Sequence, residues 1–153
     1  MAYDLYNNFG SVSGAGDFKH DEYDLLGNKK GSYAYIDYQG ANAREGLYDG
    51  NLARIVVIPT GTAPTGKFTV TLSECDTADG TYAAVTSRTF DVDAIKNGRP
   101  ITGMRCLLGF PPYHKQFLKL SVKAETGGAV TGCTFLGYVD IGSDDEYSRS
   151  VGM

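Results

Sequence analysis

The stretch Phe117–Ile141 constrains the fold most, because its apolar residues recur at every second position. In its first half, apolar residues at positions 118, 120, 122 and 124 alternate with charged residues and a serine, which is the period of a strand with one dry face. A glycine-rich segment, 126–132, follows. The second half is predicted to bury Cys133, Phe135, Val139 and Ile141, with Leu136 as an exception. Two such runs around glycines predict an antiparallel hairpin.

The glycine content favours a fold made of short strands and many turns. Glycine supplies 20 of the 153 residues, nearly twice its usual share of ~7%. A chain of this length fits one domain and buries roughly 70% of the surface that its unfolded form exposes, so a self-sufficient core is expected. These features together predict a single all-β domain.

Strand-like runs recur along the chain at short spacing, with turn signals between them. Besides the two runs of the final stretch, they are Tyr33–Tyr38, Leu52–Ile58, Lys67–Glu74, Tyr82–Val85, Arg88–Asp93 and Met104–Phe110. About eight strands in this pattern predict a jelly-roll-like antiparallel β-sandwich. The predicted core consists of the apolar residues on the dry faces: Ile55, Val57, Phe68, Val70, Leu72, Phe90, Val92, Leu118, Leu120, Val122, Phe135 and Val139.

The first thirty residues differ in character from the rest. Positions 1–50 hold 9 of the 18 tyrosines and phenylalanines but only 6 leucines, isoleucines and valines, whereas positions 51–141 hold 20 of those aliphatics. Residues 1–30 also show no sustained period of two or of 3.6. They are interpreted as an extended N-terminal arm that is mobile in the free protein, residues 31–142 as the sandwich, and residues 143–153 as a C-terminal tail.

Two segments are predicted to contact a partner. Tyrosine offers a large, stiff, amphipathic contact area and is enriched at interfaces, which makes the aromatic arm one candidate. The strand Leu52–Ile58 is the other, because it is apolar almost throughout and its second face must be covered by the arm or by another subunit. The predicted partner-binding residues are Tyr3, Tyr6, Phe9, Phe18, Tyr23, Leu52, Arg54 and Val56. Three further tyrosines are expected to line a strand: Tyr33, Tyr35 and Tyr38.

Charge and hydropathy argue against two classes of partner. The formal net charge is −4 and the 14 basic residues are scattered, whereas a phosphate-binding surface needs clustered lysines and arginines. No apolar run approaches the length of a membrane span, and the first residues lack the charged, apolar and small-residue order of a secretory signal. Neither nucleic acid nor a membrane is expected as a partner, and the protein is expected to be made as a soluble, unexported product.

No catalytic, metal or cofactor site is predicted. The cysteines fit neither a disulfide framework nor a metal-binding pair, so Cys75, Cys106 and Cys133 are expected to be reduced and near the core. His20 and His114 are interpreted as surface or hydrogen-bonding residues and not as metal ligands. The stretch Gly10–Gly16 lacks the lysine of a phosphate loop and is interpreted as flexible. The acidic clusters lack calcium-loop spacing and are interpreted as solvated or partner-facing patches: Asp17, Asp21, Glu22 and Asp24, then Asp144, Asp145 and Glu146.

Residues 52–141 contain strand and turn motifs in a characteristic order. The strand Lys67–Asp76 leads through the turn Asp79-Gly80 to Arg88–Asp93. The strand that begins Phe117-Leu118-Lys119-Leu120 then leads through Gly127-Gly128 into the final strand. In this order the segments resemble the small capsid cement, or decoration, proteins of tailed bacteriophages, whose strands of the "TVTL" and "FLKL" kinds follow one another in the same way. Residues 1–30 lie outside the resemblance.

The resemblance implies a structural virion protein without catalytic residues. It implies a jelly-roll subunit, made in the host cytoplasm, that lies on the outer surface of an assembled head and bridges neighbouring major capsid proteins. It also implies pairing with a copy of itself, a dimer being favoured over a trimer. The alternative is a carbohydrate-binding β-sandwich module, since lectin domains also use jelly rolls, but the chain lacks the tryptophan that sugar platforms favour. A cupin-like metal enzyme comes third, for want of ligands.

Overall fold

The computed structural model describes residues 8–38, 53–111 and 113–141, which form an all-β fold. In chain order the strands are β1 (Asn8–Ser13), β2 (Gly16–Asp17), β3 (His20–Tyr23), β4 (Lys29–Tyr33), β5 (Ile36–Asp37), β6 (Ala53–Gly61), β7 (Lys67–Cys75), β8 (Ala83–Asp91), β9 (Cys106–Gly109), β10 (Phe117–Ala124) and β11 (Cys133–Ile141). A short helix, α1 (Val92–Lys96), follows β8. All strand pairs of these described residues are antiparallel. The predicted all-β class is confirmed.

Two sheets build the sandwich. The first has the strand order β1-β11-β6-β9, and the second has the order β2-β10-β7-β8, with β5 pairing with β10 as well. The rings of Phe68 in β7 and Phe135 in β11 meet with their centroids 5.2 Å apart. The inner faces of the two sheets therefore share one core. The strands β3 and β4 pair only with each other, in a separate hairpin.

The core lies where the period-two pattern predicts it. Every one of the predicted core residues is buried, from Ile55 and Val57 in β6 to Phe135 and Val139 in β11. Successive strand residues point to opposite faces, so the outer face of the second sheet carries polar groups. Across that face the hydroxyls of Thr69 and Thr89 lie 2.7 Å apart. The predicted core is confirmed.

The prediction that Phe117–Ile141 forms a hairpin is wrong. Strand β10 pairs with β7, where Leu120 faces Leu72 across the strands, whereas β11 pairs with β6 in the other sheet. The segment between them crosses from one sheet to the other, and Ala129 pairs on the way with Thr65. Alternation shows which face of a strand is dry but not which sheet the strand joins, so a hairpin and a crossover have the same sequence pattern.

The interpretation of residues 1–30 as an arm is wrong for residues 8–30. Strand β1 lies beside β11, β2 lies beside β10, and Phe9 and Phe18 are only 2% and 1% exposed. Strand β2 has only two residues, and in β1 the apolar residues Phe9 and Val12 are not two positions apart, so neither strand shows a period of two. The segment reaches the core through single large aromatic residues. The sandwich therefore begins by Asn8 and not at residue 31. The predicted tail, 143–153, lies outside the described residues.

The glycines of Gly10–Gly16 have fixed structural roles, contrary to the interpretation of this stretch as flexible. Gly14 and Gly16 take positive φ angles of 74° and 141°, in the turn that carries the chain from the first sheet to the second. Gly10 also has a positive φ, of 88°, and a Cβ there would clash with the backbone carbonyl of Lys19. This close approach allows the paired hydrogen bonds between Ser11 and Lys19, each 2.9 Å long.

Two predicted strands are one. The runs Tyr82–Val85 and Arg88–Asp93 belong to the single strand β8, which then turns directly into α1. An irregularity in the pairing of β7 with β8, between Leu72 and Ser73, shifts the alternation along β8. Because of this shift, the period-two pattern does not continue through the whole of β8 and predicts two strands in place of one.

Candidate binding surface

The β3–β4 hairpin is the most distinctive surface feature of the described chain. His20 pairs with Tyr33 and Asp21 with Ser32, while an irregularity next to Tyr23 places that residue opposite Lys29. One face of the hairpin, with His20 and Glu22, is partly or fully buried, and the other, with Asp21 and Tyr23, is exposed. The hairpin is therefore amphipathic at its base and open to solvent towards its turn.

A row of aromatic rings attaches the base of the hairpin to the second sheet. The ring of Tyr33 lies 6.0 Å from that of His20 and 5.7 Å from that of Tyr35. Tyr35 in turn meets Phe117 of β10 edge to face at 5.4 Å. Gly31 lies beneath the Tyr33 ring, where a Cβ would meet the phenol oxygen at 2.9 Å. Edge-to-face packing of this kind is favourable, so the base is held to the sandwich.

Asp24 organises the hairpin tip, residues 23–28, through several hydrogen bonds. The amides of Leu26 and Asn28 donate to its carboxylate at 2.9 and 2.8 Å. Its own amide donates to the Asn28 carbonyl at 2.8 Å, and the Gly27 amide donates to its carbonyl at 3.0 Å. The Asn28 amide, with a smaller contribution from Leu26, holds the pKa of the Asp24 carboxyl below its ordinary value. The backbone of the tip is therefore ordered by local bonds alone.

Two leucines stand fully in solvent on this ordered turn. Leu25 is completely exposed, Leu26 is 87% exposed, and the neighbouring Tyr23 is 56% exposed. The other large apolar residues exposed in the described chain are scattered over separate elements: Ile95, Tyr113 and Leu136. A single exposed apolar residue is ordinary, whereas adjacent ones on one structural feature indicate a contact surface.

The acidic residues around the hairpin are engaged locally. Lys29 lies 3.5 Å from Asp21, which also accepts a short hydrogen bond from the Ser32 hydroxyl. Glu22 lies 3.0 Å from His20, and Asp17 lies 3.7 Å from Lys119. The hydrogen bond from Ser32, followed by the charge of Lys29, lowers the pKa of Asp21. These three carboxylates and that of Asp24 therefore have separate partners and are not gathered around one point.

Both histidines are buried and hydrogen-bonded. His20 Nε2 contacts Glu22, and His114 Nδ1 lies 2.7 Å from the Lys115 carbonyl oxygen. Both histidines are buried and do not lie at the surface. They form hydrogen bonds, which is the second of the two predicted possibilities. Within residues 8–38, 53–111 and 113–141, no three His, Cys, Asp or Glu side chains are grouped so as to hold a metal ion.

The predicted partner-binding residues divide among different surroundings. Phe9 and Phe18 are core residues and Val56 is fully buried, so the prediction that these three contact a partner is wrong. Tyr23 is exposed on the hairpin, as a contact residue must be. Three of the predicted residues lie outside the described ranges: Tyr3, Tyr6 and Leu52.

Arg54 belongs to a charged cluster on the outer face of the first sheet. Its guanidinium lies 3.4 Å from Asp140, whose carboxylate also binds Arg105 at 2.8 Å. Asp140 is buried, although the alternation of β11 predicts that it faces solvent. In the same register Tyr138 and Leu107 flank Val56 from the adjacent strands β11 and β9. This face of β6 is therefore occupied by the chain itself.

Leu25 and Leu26 are the surface residues that sequence reasoning missed. Their signal is the segment Asp24-Leu25-Leu26-Gly27-Asn28, in which turn-forming residues enclose two leucines that no strand or helix period uses. Apolar side chains within such a turn do not reach the core and therefore stay exposed.

Comparison with known proteins identifies no relative of the chain. No known protein family matches the chain, and no curated protein is similar to it in sequence. Among the residues that the structure describes, no helix is both long and apolar enough to cross a membrane.

Proposed function

We propose that the chain is a structural virion protein that binds the outer surface of an assembled phage head and cements neighbouring major capsid proteins. Its partners are the major capsid protein and a second copy of itself, the dimer being favoured over the trimer. The proposal rests on the resemblance of residues 52–141 to phage cement proteins and on the strand order of the sandwich. It includes no catalytic step and no cofactor.

The strand order is the observation that carries the proposal. The sheets β1-β11-β6-β9 and β2-β10-β7-β8 are linked so that the chain changes sheet between β1 and β2, β5 and β6, β6 and β7, β8 and β9, β9 and β10, and β10 and β11. Only β7 and β8 are consecutive neighbours within one of these sheets. This order supports a jelly-roll topology of two interlocked Greek keys, the fold that the resemblance implies.

Cementing would act by mass action. A protein that binds the assembled shell but not its separate subunits stabilises the shell by RT ln(1 + [L]/Kd) at each site, about 2.7 kcal/mol at a concentration of 100 Kd. Many equivalent sites on one head multiply this effect. The free energy that stabilises the shell comes from binding alone, so a small domain without a reactive site is enough for cementing.

Cosedimentation with empty heads tests the proposal. Heads from particles of the same source are stripped of this chain, mixed with the purified protein and pelleted, and their thermal disruption is followed with and without it. We expect saturable binding and a higher disruption temperature. Absence of binding to heads, together with saturable binding on a glycan array, would instead support the carbohydrate-binding module.

A further inference from the structure

We infer that the hairpin tip is the anchor of the chain on the capsid, with Leu25 and Leu26 inserted into an apolar socket of the major capsid protein. This inference rests on the proposed function and deepens it, because it names the element that makes the contact and the chemistry of the surface that receives it.

The two leucines of the tip are exposed without a structural reason. Leu25 is fully exposed and Leu26 is 87% exposed, so neither residue contributes to the core of the sandwich. Burying apolar surface is the dominant favourable term in protein association, and leucine offers a large apolar area for its size. The fold leaves both side chains available for a partner.

The hairpin tip is ordered within the chain itself. The Asp24 carboxylate binds the amides of Leu26 and Asn28, and the base of the hairpin packs through Tyr33 and Tyr35 onto Phe117. A segment already fixed in its bound shape loses little conformational freedom on binding, which increases affinity for a given contact area. The leucines are thus presented on a rigid turn that is tied to the second sheet.

The charges around the hairpin tip favour a protein over a lipid surface as the partner. The tip and its flanks carry Asp21, Glu22 and Asp24 against Lys29 and Lys30. Lys29 is already paired with Asp21. Segments that insert into anionic membranes combine apolar residues with an excess of lysine and arginine, and this hairpin has no such excess. A mixed-charge rim around an apolar centre is the usual anatomy of a protein interface.

The other large apolar residues that are exposed in the described chain lie on different elements: Ile95 near the end of α1, Tyr113 in the loop before β10 and Leu136 in β11. Exposed residues on separate elements do not together form one concave apolar site for two adjacent leucines. A second copy is therefore a poorer occupant than the capsid protein.

The test compares three full-length proteins for binding to the stripped heads: the wild type, the double variant L25S/L26S and the control Leu136→Ser. Leu136 is also an exposed leucine, but it lies on the outer face of β11 and not on the hairpin tip. We expect the double variant to bind at least tenfold more weakly, or ~1.4 kcal/mol, and the control to bind like the wild type. Thermal melting of the free proteins should be the same for all three.

A third variant, Asp24→Ala, separates the effect of the ordered turn on affinity from the effect of the two leucine side chains. It keeps both leucines and removes the acceptor of the Leu26 and Asn28 amides. We expect its affinity for heads to fall between those of the wild type and the double variant, because the tip must then be ordered on binding.

Each other outcome overturns the inference. Equal binding of the wild type and the double variant would leave the proposed function standing and remove the hairpin tip as its anchor. Failure of the wild type to bind heads would overturn the proposed function and the inference with it. Equal head binding with loss of self-association, or of binding to vesicles of phosphatidylcholine and phosphatidylserine, would assign the tip to a second copy or to a lipid surface instead.

Discussion

At the scale of single residues, glycines mark the places where two backbone segments meet closely. Gly10 allows β1 to approach Lys19, and Gly137 of β11 faces the core, where a Cβ would lie 2.9 Å from side-chain atoms of Leu120 and Phe18. Both positions are ones where the smallest side chain brings the N-terminal segment into the sandwich. Substitution there tests the revised view of residues 8–30.

Gly10→Ala should destabilise the protein more than Gly14→Ala. Both glycines have positive φ, so both substitutions carry the cost of a left-handed residue, roughly 1–2 kcal/mol. Only at Gly10 would the new Cβ also clash with backbone, whereas the space around Gly14 is open. We expect a further loss of ~1–3 kcal/mol for Gly10→Ala in urea unfolding. Equal losses would mean that β1 does not approach Lys19 as described.

Phe18 and Tyr23 are aromatic residues of the same N-terminal segment, and the first is buried whereas the second is exposed. Phe18→Ala should cost ~3–5 kcal/mol, because the ring is almost wholly buried. Tyr23→Ala should change the free energy of unfolding by less than ~0.5 kcal/mol, because most of its side chain is in water. Chemical denaturation of both variants measures these changes in the free energy of unfolding. A small change for Phe18→Ala would support the interpretation of residues 1–30 as an extended arm.

Burial of two ionisable groups predicts a loss of stability in alkali. Burial raises the pKa of the Cys106 thiol from 9.0 to about 11 and that of the Tyr82 phenol from 10.0 to about 12. The unfolded chain then releases these protons first, so unfolding becomes easier as the pH rises, from about 9 to 11 for Cys106 and from about 10 to 12 for Tyr82.

The Cys106 part of this loss is measurable with a variant. Two pH units correspond to ~2–3 kcal/mol of stability. Cys106→Ala should be less stable than the wild type at pH 8 because of the cavity, but should lose less stability between pH 8 and 10.5. Parallel pH profiles for the two proteins would show that the thiol does not titrate as stated.

At the scale of elements, periodicity predicts strands and core faces but not how strands are joined. The alternation from Leu118 to Val122 places Leu118, Leu120 and Val122 of β10 in the core correctly, because a strand with one dry face needs that pattern. The partner of β10 is β7 and not β11, a choice made by packing between distant segments that no local pattern encodes. Short strands such as β2 leave no period at all, so the sequence pattern wrongly predicts an arm for residues 8–30.

The hairpin shows the same limit for the binding surface. The tyrosine content directs attention to the N-terminal third, and Tyr23, a predicted contact residue, is exposed. Leu25 and Leu26 were not predicted, because leucines are expected in a core unless their turn is recognised first. The Asp24-to-Asn28 bonds that make this turn involve side chain and backbone four residues apart.

Acid should loosen the hairpin tip before it affects the sandwich. The pKa of Asp24 is lowered in the folded protein, so its hydrogen bonds are present above the ordinary carboxyl pKa and are lost as the pH falls through the lowered value. We expect the amides of Leu26 and Asn28 to lose their chemical-shift dispersion in that range, while core amides of β7 and β10 keep theirs. Unchanged Leu26 and Asn28 resonances down to global unfolding would contradict this account of the turn.

At the scale of the whole molecule, the N-terminal segment and the last strand complete the fold together. Removing residues 1–30 deletes β1, β2 and most of the β3–β4 hairpin, along with the buried Phe9 and Phe18. We expect this deletion to abolish cooperative thermal unfolding, since it exposes one edge of each sheet and opens the core. A truncated chain that still melts cooperatively, with less than ~2 kcal/mol lost, would show that the segment only decorates a finished sandwich.

The place of β11 also sets the order in which a newly made chain can assemble. Of the described strands it is the last to leave the ribosome, yet it lies in the interior of its sheet, between β1 and β6. Until Cys133–Ile141 has been made, β1 and β6 have no common neighbour, and the strand edges that pair with β11 have no partner. The first sheet therefore cannot be completed before β11 has been made, and joining β1 to β6 through β11 carries a high loop-closure cost. A chain that stops before β11 lacks the strand that holds its first sheet together.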